Sequence, residues 1–294
     1  MPVSAGKAPA SFGGVGFIGL GDMGGPMADN LIAAGFDMTV FDTRSEPLKS
    51  ASDKGAKVAD SLGGMPDICK TIGICVWSDE QLTNAVLGQD GLISSTASEL
   101  TLIVHSTVRP GTIDKIAAAF SERGWSVIDA PVSGGRAASL TGTLSLMIGG
   151  EKKLYDRCQP YFETVGAHLF HVGTRPGLSE VAKLCNNLMG LCNAYAIVEG
   201  LKLGAAYDIE EDVILKIASV STGQSWYSDR WEFFDNLIQT HSQPDILYKD
   251  LWEAVFAAKD KGLQLVLTGM AAMSAPRLIA ERLSEIKQRA AGSK

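Results

Sequence analysis

Lys183 lies in the run Gly177-Leu-Ser-Glu-Val-Ala-Lys-Leu-Cys-Asn-Asn187, whose apolar residues have helical spacing. A lysine held against apolar surface loses hydration of its charge, which lowers its pKa and lets the neutral amine act as a base. The other reading is a solvated ammonium whose methylene stem covers apolar surface. Asn187 is four residues on and shares a helical face with Lys183; the small residues Gly190 and Ala194 extend that face and leave room for a ligand. Near the other end of the chain, Gly19-Leu-Gly-Asp-Met-Gly24 matches G-x-G-x-x-G between a short apolar run and a helical one, the setting a dinucleotide-binding turn requires. Gly19 would permit the tight turn, Gly21 the approach of a pyrophosphate and Gly24 close packing of helix on strand, with the helix N-terminus favouring the anion. The candidate cofactor loop comprises Phe17, Ile18, Gly19, Leu20, Gly21, Asp22, Met23 and Gly24. Asp42 follows Gly24 by 18 residues, near the spacing of about 20 for a carboxylate that accepts hydrogen bonds from ribose hydroxyls. A carboxylate there repels a 2′-phosphate and favours NAD; Arg44, two residues on, could accommodate that phosphate and keeps NADP open. Ser133, Gly134 and Gly135 offer a hydroxyl and bare backbone amides that can hold a carboxylate, or form an ordinary glycine turn.

The elements that must position these residues follow from the apolar pattern. Short strands are expected at 14–19, 38–42, 71–76, 102–105, 126–129, 144–149 and 167–172, separated by helical stretches such as 26–34, which Gly35 ends. That alternation implies an α/β fold, a Rossmann-type doubly wound parallel sheet with helices on both faces. After 177 the pattern changes. Leu178, Val181, Leu184, Leu188, Leu191, Tyr195 and Val198 mark a helix to Leu203, with Gly204 near its end, about 40 Å long at 1.5 Å per residue. Helices at 210–220, 228–240, 248–272 and 276–291 follow, without strand signals. The expected organisation is a tail at 1–13, a dinucleotide-binding domain at 14–176 and an all-helical domain at 177–294, with helix 178–203 at the junction presenting residues to a cleft.

Composition bounds the function. The 294 residues are 46% hydrophobic and 20% charged, as in a globular protein with a sizeable core. With 26 basic and 33 acidic side chains the net charge is −7, which speaks against a general nucleic-acid or acidic-membrane role, and no apolar run is long enough to span a bilayer. The five cysteines are odd in number and contain no C-x-x-C; Cys185 and Cys192 fall on one helical face, which suggests packing. A reducing compartment, the cytoplasm, fits this usage. His105, His168, His171 and His241 show no metal-binding pattern: His168 and His171 are three apart on an expected strand and point to opposite faces, so no metal site is expected. Residues 1–13 lack the arginines and long apolar core of a targeting peptide and read as a frayed tail.

With these residues placed, the chain resembles the β-hydroxyacid dehydrogenase family, which includes 3-hydroxyisobutyrate, L-threonate and 6-phosphogluconate dehydrogenases and tartronate semialdehyde reductase. Four blocks in order, between about residues 14 and 280, carry the resemblance. They are Val15-Gly-Phe-Ile-Gly-Leu-Gly-Asp-Met-Gly-Gly-Pro-Met-Ala-Asp-Asn-Leu31, Asp129-Ala-Pro-Val-Ser-Gly-Gly135, Lys183 with Asn187, and Ala258-Lys-Asp-Lys-Gly-Leu263. The resemblance implies that Lys183 is the catalytic lysine and that Asn187 orients the substrate hydroxyl. It places Thr107 and Lys259 near the nicotinamide, with Asp260 able to pair with Lys259, and Val76 and Trp77 in the loop lining the cofactor. Four positions depart from the family pattern: Ser179 replaces a glycine, Trp77 a proline, Trp252 a phenylalanine that reaches the substrate, and Leu251 its neighbouring glycine. They bear on the substrate more than on the reaction. Ser221-Thr-Gly-Gln-Ser-Trp226 resembles the matching loops of hydroxyisobutyrate and threonate dehydrogenases, and Trp226 reads either as a wall of the substrate pocket or as a core tryptophan.

The implied function is NAD(P)-dependent interconversion of a small 3-hydroxy acid and its semialdehyde or keto acid by hydride transfer, with Lys183 as general acid/base. The implied assembly is a homodimer or a tetramer of dimers. An alternative is an NADPH-dependent reductase of small aldehydes such as glyoxylate, succinic semialdehyde or tartronate semialdehyde. Imine reductases share the architecture but usually lack the lysine, and the fold also occurs in a non-catalytic chromatin-associated factor that has lost it; Lys183 argues against both.

Overall fold

The computed structural model describes residues 12–240 and 244–292, so most of the expected tail and His241 lie outside the described residues. By its internal contacts the chain divides into two units, Met1–Lys183 and Leu184–Lys294. The first carries β1 (Gly14–Ile18), α1 (Gly24–Ala33), β2 (Asp37–Phe41), α2 (Ser45–Asp53), β3 (Lys57–Val58), α3 (Met65–Ile68), β4 (Thr71–Ile74) and α4 (Asp79–Leu87). It continues with β5 (Thr101–Val104), α5 (Pro110–Ser121), β6 (Ser126–Asp129), β7 (Val132–Ser133), α6 (Gly135–Leu140), β8 (Leu144–Gly149), α7 (Lys152–Val165) and β9 (Gly166–Gly173). Helix α8 (Leu178–Ala205) begins in the first unit and continues into the second, where α9 (Glu211–Ser219), α10 (Trp231–Thr240), α11 (Lys249–Lys259) and α12 (Val266–Gly292) follow.

The sheet order is β3-β2-β1-β4-β5-β6-β8-β7, with β9 beside β8. Strands β3 through β6 are parallel, the doubly wound arrangement expected from the alternating elements. Neighbouring residues on one strand feed opposite faces. Phe17, Ile103 and Ile128 join the core formed with Met27 and Leu31 of α1 and Tyr161 and Phe162 of α7. Ile18, Leu102, Val104 and Val127 join the core formed with Leu82 and Val86 of α4 and Ile113, Ile116 and Phe120 of α5. Each such side chain removed from water stabilises the fold by about 1.5–3 kcal/mol.

The sheet is not wholly parallel, which corrects the sequence expectation: β8 runs antiparallel to β6 and β7 and parallel to β9. A parallel return needs a crossover of a dozen or more residues, usually helical, and α6 has only 6 residues. The two-residue strands β3 and β7 carried no recognisable strand pattern.

His105 follows β5 inside this unit and is fully buried. Its Nδ1 lies 2.9 Å from the Ala130 carbonyl, which can only accept, so Nδ1 carries the proton. Nε2 then accepts from the Tyr161 hydroxyl at 2.9 Å. Burial lowers its pKa to about 4, against a partial offset from the Ala130 bond. Above pH 6.5 the ring is neutral in folded and unfolded chains alike and the shift costs nothing. As pH falls from 6.5 toward 4 the unfolded chain takes up a proton that the folded chain refuses. Stability should fall across that window by a total of about 3 kcal/mol, readable in urea unfolding at stepped pH. A His105 ring that titrates near 6.5 in the NMR spectrum of the folded protein would contradict this.

In the second unit, Leu191, Tyr195 and Val198 of α8 pack with Trp231, Phe234, Leu251, Leu278 and Ile279 in one core. Three expectations are corrected here. The break placed before Pro276 falls instead between α11 and α12, and Pro276 lies inside α12. The end of α11 is closed by Gly262 N–H on Lys259 O (3.0 Å) and Leu263 N–H on Ala258 O (2.9 Å), a glycine-terminated C-cap, whereas α12 carries Pro276 in its interior despite the lost ladder bond and the ring's crowding of the carbonyl four residues back. Gly190 and Ala194 do not leave room for a ligand: a Cβ on Gly190 would stand 3.3 Å from the Tyr227 ring, and Ala194 is fully buried in the core. All five cysteines are free thiols, and Cys185 is exposed rather than packed. No helix among the described residues is long and apolar enough to cross a membrane.

Candidate active site

The three glycines of the turn after β1 do separate work. Gly19 has φ +86°, a conformation side chains disfavour, and a Cβ there would run into the Cys75 carbonyl. A Cβ on Gly24 would meet the Gly19 carbonyl and come within 3.0 Å of the Phe17 ring, so only glycine lets α1 start against the strand. A Cβ on Gly21 would meet nothing within 4 Å. Open space over a bare backbone at the start of a ten-residue helix is what a pyrophosphate requires, and the residues fit the cofactor. Phe17 has no exposed surface: its ring packs beneath the turn, stacked on His105 at 6.1 Å.

Asp42 stands just past β2 and faces this turn. Its Oδ2 accepts from Leu20 N–H at 2.7 Å, and Arg44 donates through Nε to Oδ1 (3.0 Å) and through Nη2 to Oδ2 (3.1 Å). Burial by itself pushes the carboxyl up; the bonds from Arg44 and Leu20 and the guanidinium charge more than reverse this, holding it below the usual carboxylate range. Asp42 is therefore an ionised acceptor at neutral pH, and Arg44 is tied to it while remaining 59% exposed.

The other first-unit candidates follow the C-terminal ends of neighbouring strands, the edge where doubly wound sheets bind ligands. Val76 follows β4, its N–H bound to Ser106 Oγ at 2.8 Å, and Trp77 N–H binds Gln81 Oε1 at 3.0 Å. Thr107 follows β5. Ser133 ends β7, and Gly134 takes φ +131°, which a side chain resists. This segment is tied to the glycine turn: Ser139 Oγ donates to Met23 O (2.8 Å), Asn30 Nδ2 to Ser139 O (2.8 Å) and Arg136 Nη1 to Asp22 Oδ1 (3.3 Å). The segment that follows the candidate carboxylate anchor is thus hydrogen-bonded to the cofactor turn and to α1, a link that nothing in the sequence pattern signalled.

Lys183 is 7% exposed, which sets aside the solvated reading. Two buried acids that the sequence analysis passed over lie near the same end of α8. Asp129 Oδ2 accepts from Ser179 N–H (3.1 Å), Glu180 N–H (3.3 Å) and the Ser179 hydroxyl. Burial raises the Asp129 pKa, with these bonds opposing it. Glu180 Oε2 accepts from Val108 N–H at 3.1 Å. The signal available in the sequence was a charged residue closing an otherwise apolar strand.

In the second unit, Asn187 Nδ2 donates to Asp250 Oδ2 at 2.5 Å and its Oδ1 accepts from Asn186 at 3.1 Å, which fixes the orientation of the amide. Asp250 was not foreseen; it precedes the positions that the sequence reading singled out at Leu251 and Trp252. Trp226 is 52% exposed and set edge-on to Tyr227 and Phe233, so it is not a core tryptophan. Trp252 is partly buried and stacked on Phe256. Lys259 is exposed at the end of α11, next to the exposed Asp260.

Comparison with known proteins agrees with this geometry. The sequence family described as the NAD-binding domain of 6-phosphogluconate dehydrogenase matches residues 14–173, and the family described as the NAD-binding of NADP-dependent 3-hydroxyisobutyrate dehydrogenase matches 177–288. The chain is 36% identical over 213 residues to a 3-hydroxyisobutyrate dehydrogenase of Pseudomonas aeruginosa, covering 72% of this chain and 71% of that one. It is 32% identical to an NAD-dependent L-serine dehydrogenase of the same organism, covering 89% and 87%. Among solved structures, the fold is shared with 3-hydroxyisobutyrate dehydrogenase from Mycobacterium tuberculosis, solved with L-serine, at a TM-score of 0.79 and 23% identity over 92% and 95% of the chains.

Proposed function

The chain belongs to the β-hydroxyacid dehydrogenase family of NAD(P)-dependent oxidoreductases, and we propose that it oxidises a small 3-hydroxy acid to its semialdehyde or keto acid with NAD, using Lys183 as the acid/base. The observation that carries this reading is the burial of Lys183 in the same unit as the dinucleotide turn. NAD(P), when bound, supplies the acceptor for hydride from the carbinol carbon. Lys183 Nζ, neutral when it acts, takes the hydroxyl proton and returns it in the reverse direction. Ser133, Gly134 and Gly135 hold the carboxylate, which fixes the hydroxyl and supplies the orientation that the chemistry needs. To Asn187 we assign orientation of the hydroxyl, to Trp226 and Trp252 selection of the substrate, and to Val76, Trp77, Thr107 and Lys259 contacts with the cofactor.

The ionised Asp42 favours NAD; the exposed Arg44 beside it supports the second reading, NADPH-dependent reduction of a small aldehyde. We further assign dinucleotide binding to residues 14–176, and substrate selection and association of copies to 177–294. The exposed Val266, Leu267, Met270 and Met273 along α12 support association into a homodimer or a larger assembly of dimers. The free thiols support the cytoplasm as its compartment.

The test is a panel of 3-hydroxyisobutyrate, 3-hydroxypropionate, L-serine, L-threonate and glycerate, with 4-hydroxybutyrate as an outlier, run with NAD and with NADP. Glyoxylate and succinic semialdehyde are run with NADPH. A 3-hydroxy acid should be oxidised with kcat/KM at least about tenfold higher for NAD than for NADP, a difference of about 1.4 kcal/mol. Faster aldehyde reduction with NADPH would favour the second reading, and no turnover in any arm would overturn both.

A further inference from the structure

We propose that Asp129 and Ser179 are positioning residues for Lys183, fastening the first turn of α8 to the end of β6 and so setting where the lysine amine stands. This rests on the reading of Lys183 as the acid/base. The first N–H groups of a helix have no partner within the helix and need an acceptor from elsewhere. The residue before α8 is Gly177, which has no side chain to offer. Asp129, some 50 residues upstream in the chain, takes that role: it is fully buried, and its Oδ2 receives the N–H groups of both Ser179 and Glu180. The Ser179 hydroxyl closes the joint from the other side, lying against Oδ2 and 2.8 Å from the Asp129 carbonyl. Where the family pattern has glycine, this chain has added a side-chain bond.

The joint is close-fitting. A Cβ on Gly149 of β8 would stand 2.8 Å from Asp129 Oδ1 and 3.1 Å from Ser179 N, so the bare glycine is what lets the helix end close on the strand. Lys183 is one turn beyond Ser179, and a helical turn transmits a shift of its first residues to the next with little loss. Asp129 also opens the segment that reaches Ser133 four residues on. Asp129 therefore holds the start of the lysine helix through its carboxylate, and its backbone leads directly into the candidate carboxylate anchor. A displacement of about 1 Å between groups that must meet one substrate can cost on the order of 100-fold in rate.

The experiment compares wild type, D129A, D129N, S179A and K183A, using whichever of 3-hydroxyisobutyrate or L-serine is oxidised faster. NAD binding is titrated in each, and its stoichiometry counts the folded fraction. D129A should lose about 100-fold in kcat and S179A about tenfold, with NAD affinity within about twofold and full stoichiometry. D129N keeps an acceptor for the helix N–H groups and should recover to within about threefold of wild type. D129A at full stoichiometry with kcat within twofold of wild type would overturn the proposal, as would D129N as slow as D129A. If the Asp129 variants do not fold, S179A decides alone, and an unchanged kcat there overturns it. Near-normal turnover in K183A would bring down the acid/base reading itself. An inactive K183A beside an unaffected D129A would remove only the positioning role.

Discussion

Lys183→Ala should lower kcat by roughly 10²- to 10⁴-fold while NAD still binds with near wild-type affinity. The size follows from what is removed. No other amine takes its place on that turn of α8, and water is a weaker base held in no fixed position. Lys183→Arg makes the test sharper. A guanidinium keeps the positive charge and much of the length but stays protonated at any working pH, so it cannot take a proton. If the role is acid/base, both variants lose turnover together; if Lys183 only attracts a carboxylate, the arginine variant retains it and KM rises in the alanine variant instead. Steady-state kinetics with a parallel NAD titration separates these outcomes, and near-normal turnover in the alanine variant would remove the assignment.

Arg282→Ala should destabilise the second unit by about 3–5 kcal/mol, the cost of breaking a buried ion cluster by removing one partner. Arg282 is 1% exposed. It donates to Glu211 from Nη1 and Nη2 at 2.7 Å and to Asp235 from Nε at 2.8 Å and Nη2 at 2.5 Å, and its guanidinium stands 5.4 Å from the Trp231 ring centre. These contacts bind α12 to α9 and α10. Burial works against the charge, and the two carboxylates more than offset it, raising the pKa above the ordinary arginine value. Alanine takes this partner from the partly buried Asp235, while Glu211 keeps its ion pair with Arg289 at 2.7 Å. Asp235→Asn added to the alanine variant should therefore restore part of the loss, since the two sites are coupled. Urea unfolding measures both effects; a loss under about 1 kcal/mol for the alanine variant would mean that the cluster behaves as a solvated surface network.

The residues legible in the sequence are those whose chemistry depends on their near neighbours. The turn at 19–24 is defined by where side chains cannot be, and Asp42 by its distance along one strand–helix–strand unit. The failures share a different cause. Gly190 and Ala194 are small in the sequence whether the facing object is a ligand or an aromatic ring, and only the packed unit shows that it is Tyr227. Pro276 looks like a helix end because it lacks an N–H, yet the end is made by the Gly262 turn. The antiparallel β8 depends on the length of the return path, which the strand pattern does not state.

By itself the sequence determined that this protein has a doubly wound domain with a dinucleotide turn, a helical second half, and a lysine and asparagine one turn apart. These follow from periodicity and backbone freedom, which neighbouring residues along the chain express. Only the tertiary structure decided that Lys183 is buried, that Asp129 caps its helix, that Asp250 sets Asn187, and that the Ser133 segment is bonded to the cofactor turn. Burial and hydrogen-bond partnership belong to pairs of groups far apart in the chain, and a carboxylate reads the same in sequence whether it faces water or the first turn of a helix.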